Sequence, residues 1–220
     1  MSYDFLAVEA SDLEVFGLAA PVTASALEAY YENSPAAQGP ESNAIARFLA
    51  DVNARFPEDV PALSILPIEA EGRAAYIPFI YSAVDLAADQ LLRFGVEHQV
   101  AVIDVQRLIV FDPRETLRAR VMTGVYPDLP LVSPTALRQL LALADEDDSH
   151  VVIEHEARPE WYVQTRATAG TFEVEYRAGD AQHHFHTELT DGNVVAEVMW
   201  DWLVDGQNWR DSAVWTRLEL

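Results

Sequence analysis

Neither cysteine nor lysine occurs in this 220-residue chain. Without Cys there is no thiolate nucleophile and no thiolate metal ligand, and without Lys there is no Schiff-base nucleophile, pyridoxal anchor or phosphate-loop lysine. Glycine is sparse, with 9 residues, and no Gly-x-Ser-x-Gly or Gly-x-Gly-x-x-Gly appears. No cofactor is therefore expected. Positive charge is also short: 14 basic residues, all Arg, stand against 36 acids for a net charge of -22. Such a potential repels nucleic-acid phosphate and anionic lipid while attracting cationic proteins and metal ions, so neither nucleic acid nor membrane is an expected partner. Long apolar runs are missing too. The most apolar stretch, Ala74 to Val84, is too short to span a bilayer, and Met1-Ser-Tyr-Asp-Phe5 has no cationic region ahead of an apolar one; a cytoplasmic location is expected.

What is present is a foldable composition. Half of the residues are hydrophobic, which excludes a disordered acidic polymer. The acidity is spread over the whole chain: residues 1–115 carry -12 and residues 116–220 carry -10. Abundant Ala and Arg beside absent Lys resemble the codon usage of a GC-rich, bacterial genome.

Hydrophobic periodicity and capping signals predict two α+β units, 1–115 and 116–220, divided in a poorly patterned, Pro-rich stretch from Arg114 to Ser133. The first unit reads as a strand at Tyr3 to Val8, a helix with a Ser25/Glu28 capping box, and an amphipathic helix after Ser42 with Ile45, Phe48, Leu49, Val52 and Phe56 on one stripe. A strand at Ala74 to Tyr81 follows, then a helix opened by Ser82 and Asp85 and stopped by Gly95, and strands at Val100 to Val105 and Leu108 to Phe111. The order suits a ferredoxin-like variant with helices on one face. In the second unit Ser133 and Pro134 open a helix. Strands are predicted at Val151 to His155, Tyr162 to Arg166, Phe172 to Arg177 and His183 to Glu188, then a helix from Asp191 to Val204 and a last strand at Val214 to Leu218. This is an antiparallel sheet with a packed helix.

Two constellations carry candidate chemistry. If Arg177 and Gln182 close a hairpin, Glu175 pairs with His184 and Glu173 with His186 on a polar, solvated sheet face. Two imidazoles and two carboxylates could hold a divalent cation. The plainer reading is cross-strand His and Glu pairs on a wet face, each contributing about 0.2–1 kcal/mol, and it is favoured. The second constellation is Asp145-Glu146-Asp147-Asp148, placed after a helix end that already carries partial negative charge. It reads as a solvated loop or as a docking spot for a cationic partner, and it lacks the Gly of a calcium loop. Of the Trp residues near the C-terminus, Trp202 is expected in the core and Trp200, displaced from that stripe, at the surface as a partner anchor.

Met1-Ser-Tyr-Asp4 together with His98-Gln-Val-Ala-Val-Ile-Asp104-Val-Gln106 resembles an N-terminal domain of uncharacterised actinobacterial proteins that open with a Met-Ser-Tyr-Asp strand. Val8 and Val105 stand where that pattern commonly has Trp and Pro. The C-terminal stretch, with Tyr162-Val-Gln164, Glu175-Tyr-Arg177, His184-Phe-His186, Trp209-Arg210 and Trp215-Thr-Arg-Leu-Glu-Leu220, resembles small immunity domains of bacterial toxin systems. That resemblance implies a non-enzymatic module that neutralises a basic protein toxin, and the acidity, read separately, suits such a partner. It transfers no functional residues.

Overall fold

A computed structural model describes residues 2–33, 35–40, 42–57, 62–146 and 149–218. The protein is α+β and divides into two compact units, Met1–Thr116 and Leu117–Leu220.

Unit 1 is built on a four-stranded antiparallel sheet in the order β2-β1-β3-β4, where β1 is Ser2–Glu9, β2 Ala74–Ile80, β3 Val100–Asp104 and β4 Ile109–Phe111. Because β2 and β3 both run antiparallel to the strand between them, they are parallel to each other. With α3 (Val84–His98) they make the split β-α-β element of ferredoxin-like folds. On one face, α3 and α2 (Asn43–Arg55) bury Phe5 and Phe79, and the ring of Phe56 meets Phe79 edge-on at 5.1 Å.

The opposite face is not open, contrary to the one-sided expectation. Leu6, Val8, Ala101, Ile103 and Val110 alternate with the first set, and the segment 10–36 lies over them with Leu13, Leu18, Leu27 and Tyr30. This segment includes α1, Ala24–Asn33. Arg73 ties its start to β1, reaching Glu9 at 2.8 Å and Asp12 at 2.6 Å. Arg114 reaches Glu14 at 2.8 Å and Asp112 at 2.6 Å. The central residues of β1 and β3 are apolar on both sides because both sides are buried.

Several helix signals resolve differently from expectation. Thr23 caps α1, accepting from Ala26 N, and Ser25 only touches the Thr23 hydroxyl. Ala83 precedes α3 with no side-chain cap, since Ser82 is taken up in a 3-10 turn. Gly95 lies inside α3: a Cβ there would sit 2.7 Å from the Val100 carbonyl oxygen, so its small size serves helix–strand packing while Gln99 (φ 58°) ends the helix. Ser42 caps α2 as expected, accepting from Ala44 N and Ile45 N, and also bonds Glu9.

Unit 2 carries a seven-stranded antiparallel sheet in the order β11-β10-β9-β8-β7-β5-β6. Its strands are β5 Leu117–Thr123, β6 Leu129–Val132, β7 His150–Glu154, β8 Trp161–Thr168, β9 Thr171–Ala178, β10 His184–Leu189 and β11 Thr216–Arg217. The stretch read as poorly patterned thus forms the β5–β6 hairpin, with the short β6 at the sheet edge and a bulge between Arg118 and Val121. Helices α4 (Pro134–Glu146) and α5 (Gly192–Leu203) contact β7 to β10, and their apolar stripes meet Val151, Ile153, Val163, Ala167, Phe172 and Val174. Ser133 accepts from Ala136 N and Asp191 from Asn193 N at the two helix starts. The core of this unit is aromatic at one end: Tyr176 stacks on Phe185 and meets Trp209 and Trp215 edge-on.

Among the described residues, no helix is long and apolar enough to cross a membrane.

Candidate functional site

The open face of the unit 2 sheet follows from strand alternation. Val163, Thr165 and Ala167 point toward the helices, so Tyr162, Gln164 and Arg166 point away; the same parity turns Glu173, Glu175 and Arg177 of β9 and His184, His186 and Glu188 of β10 outward. The faces are those expected from the sequence, but the register differs by two residues. His184 pairs with Arg177, His186 with Glu175, and Glu188 with Glu173. The cause is the turn. Asp180 accepts from Gln182 N and His183 N, winding 181–183 into a 3-10 turn, and Gly179 (φ +91°) sits against the Trp161 ring. This longer connection withdraws Gln182 and His183 from the ladder, and His183 bonds Asp180 at 2.9 Å in solvent instead of lying on a strand.

The four candidate metal ligands are consequently dispersed. Among the described residues they do not bring three ligand atoms within 4.8 Å of one another. His184 is not solvated either: its side chain is only 7% exposed, its Nε2 lies 3.1 Å from Glu175 and 3.4 Å from the Tyr162 hydroxyl, and Gln164 donates to the same Glu175 oxygen at 2.9 Å. Burial, followed by the nearby Glu175 charge, holds the Tyr162 phenol above its ordinary pKa. The Nδ1 atoms of His184 and His186 and the Arg177 Nε are buried without a hydrogen-bond partner. His184 and Glu175 thus belong to a half-buried polar network.

Beside this network lies a groove of about 520 Å³ lined by His150, Gln164, Arg166, Glu173 and Glu175. Its charges are polarised. One register row runs His150, Arg166, Glu173, Glu188 across four strands, with basic groups at one end and acids at the other. Glu173 and Glu188 are exposed and directly opposite, an arrangement that is destabilising for like charges. Arg166, Glu173 and Glu188 form no ion pair among the described residues, whereas Arg120 is committed to Glu154 and Asp128, and Arg177 to Glu160.

The acidic run is divided by its surroundings. Asp145 and Glu146 form the last residues of α4 instead of following it; Asp145 accepts from Gly170 N at 3.1 Å, so its carboxylate anchors the β8–β9 turn, while Glu146 is exposed. Asp147 and Asp148 lie outside the described residues. Trp202 is buried against Trp161, and Trp200 is half-buried, lining a 300 Å³ depression with Arg138, Glu197 and Trp209. Sequence reasoning missed Arg166 and Glu188 because their significance depends on which residues face them. Alternation placed them on the outer face; the turn set their neighbours.

The two N-terminal stretches that carry the first resemblance are neighbouring strands. Tyr3 donates to the buried Asp104 at 2.5 Å, and Gln106 both accepts from Asp4 N and donates to its carboxylate. These bonds join β1 to β3 and give those residues a structural role. Protein-family models, curated proteins and solved structures give no match to this chain.

Proposed function

We propose that the chain is a non-enzymatic binding protein that captures a basic protein partner, in the manner of an immunity-type inhibitor, through the open sheet face of unit 2. The observation that carries this reading is the row of Arg166, Glu173 and Glu188, three charged side chains held on a sheet and forming no ion pair among the described residues, beside a polar groove. The net charge of -22 steers a cationic protein toward the chain, and the mixed signs within the groove supply register on contact. A basic side chain seated between Glu173 and Glu188 relieves their repulsion. Glu146 and Trp200 remain secondary contact candidates. The His184 Nε2 is already engaged by Glu175 and the Tyr162 hydroxyl, so occlusion is a better account of the geometry than turnover.

The test is capture on the immobilised full chain from lysate of the source organism, followed by association kinetics with the purified partner. A basic protein whose association slows steeply with salt and whose complex weakens in Glu173→Gln/Glu188→Gln supports the reading. Binding indifferent to both salt and these substitutions, or no specific capture, refutes it.

A further inference from the structure

We propose that Asp51, Glu97 and His98 form a divalent transition-metal site on unit 1. Among the described residues they are the one set of three His or acid side chains whose ligand atoms all lie within 4.8 Å of one another. Asp51 projects from α2, and Glu97 and His98 come from the last turn of α3, helices that pack directly against each other. His98 Nε2 lies 2.6 Å from Asp51 Oδ2, and the imidazole is 12% exposed, so its position is set by packing. Glu97 is exposed and leaves the cluster a path to solvent.

Two further observations point to a cation. Helical spacing offers each carboxylate an arginine one turn earlier, Arg47 for Asp51 and Arg93 for Glu97. Neither pair forms: Arg93 turns back to Asp89 at 2.9 Å, and Arg47 makes no ion pair among the described residues. The cluster also sits at the C-terminal end of a 15-residue helix, where unpaired carbonyls favour positive charge. Two carboxylates and a neutral imidazole balance a divalent ion, and a set of two oxygens and one nitrogen suits zinc, cobalt or manganese better than calcium or magnesium. Three protein ligands leave the remaining positions to water.

The test uses the full chain after chelator treatment, titrated with zinc chloride by calorimetry. One ion per chain is expected. His98→Gln and Asp51→Asn each abolish the one-site isotherm, and His184→Ala, which alters the sheet network of unit 2, leaves it intact. In the unmutated protein, nitrogen-15 NMR of labelled histidine shows the His98 Nε2 resonance moving on zinc addition. No stoichiometric binding, binding that survives His98→Gln, or a zinc response at His184 or His186 instead of His98 overturns the proposal.

Discussion

The two sheets are built from the same kind of strand and differ in what their second face does. In unit 1 that face is apolar and lies beneath the segment 10–36; in unit 2 the corresponding face is polar and has no helix of its own unit over it among the described residues. The contrast shows up at the central strands. Leu6 on β1 is flanked by Tyr76 and Ile103, whereas Gln164 on β8 is flanked by Val152 and Glu175. A sheet covered twice commits both residue sets to stability. A sheet covered once leaves the other set free of that demand.

The largest expected effect comes from breaking the covered face. Leu6 is 2% exposed, and Leu6→Ala should cost about 2–5 kcal/mol in chemical denaturation, whereas Gln164→Ala should cost only about 0.5–1.5 kcal/mol, the worth of one hydrogen bond. Equal costs would erase the contrast between the faces. Next is the latch on the covering segment. Arg73→Ala removes its bonds to Glu9 and Asp12, and because the guanidinium is partly exposed, a loss of about 1 kcal/mol is expected, with faster amide exchange confined to the segment 10–36. Uniform exchange across the unit would show that the segment does not depend on this latch.

On the open face the sign reverses. Glu188→Lys places opposite charges across the β9–β10 ladder and should stabilise unit 2 by about 0.2–1 kcal/mol while weakening capture of a basic partner. Destabilisation would mean that Glu188 is needed for the fold. The smallest effect concerns pH. Asp205 accepts two hydrogen bonds from Arg158 at 2.5 Å, which hold its carboxyl below the ordinary aspartate value of 3.8. A carboxyl depressed in the folded state contributes stability above its unfolded value and loses it as pH falls through the folded one, so the contribution fades below about pH 4. Carboxyl NMR should show Asp205 titrating late in acid, and Arg158→Ala should return it toward 3.8.

Faces were more legible than partners. The alternation of β9 and β10 placed Glu173, Glu175, His184 and His186 together on one side, and that placement holds. A two-residue shift leaves every side chain on its face, so the hydrophobic pattern cannot distinguish the two registers. The difference arises in the Asp180 turn, whose length no strand pattern encodes. Likewise, β5 and β6 escaped notice because a bulge between Arg118 and Val121, a four-residue edge strand and nearby prolines carry little periodic signal, and Gly95 read as a stop because its close neighbour, Val100, belongs to another element.

Composition and spacing alone determined that this chain is acidic throughout, lacks thiol and amine nucleophiles, and forms amphipathic helices after Ser42, Ser133 and Asp191. These are local or summed properties, readable from residue intervals and counts. Tertiary structure decided that segment 10–36 covers the first sheet, that His184 is buried against Glu175, and that Asp51 meets His98. Each of these contacts joins residues that are far apart in the chain or separated by a turn of unspecified length, and only packing of whole elements fixes such distances.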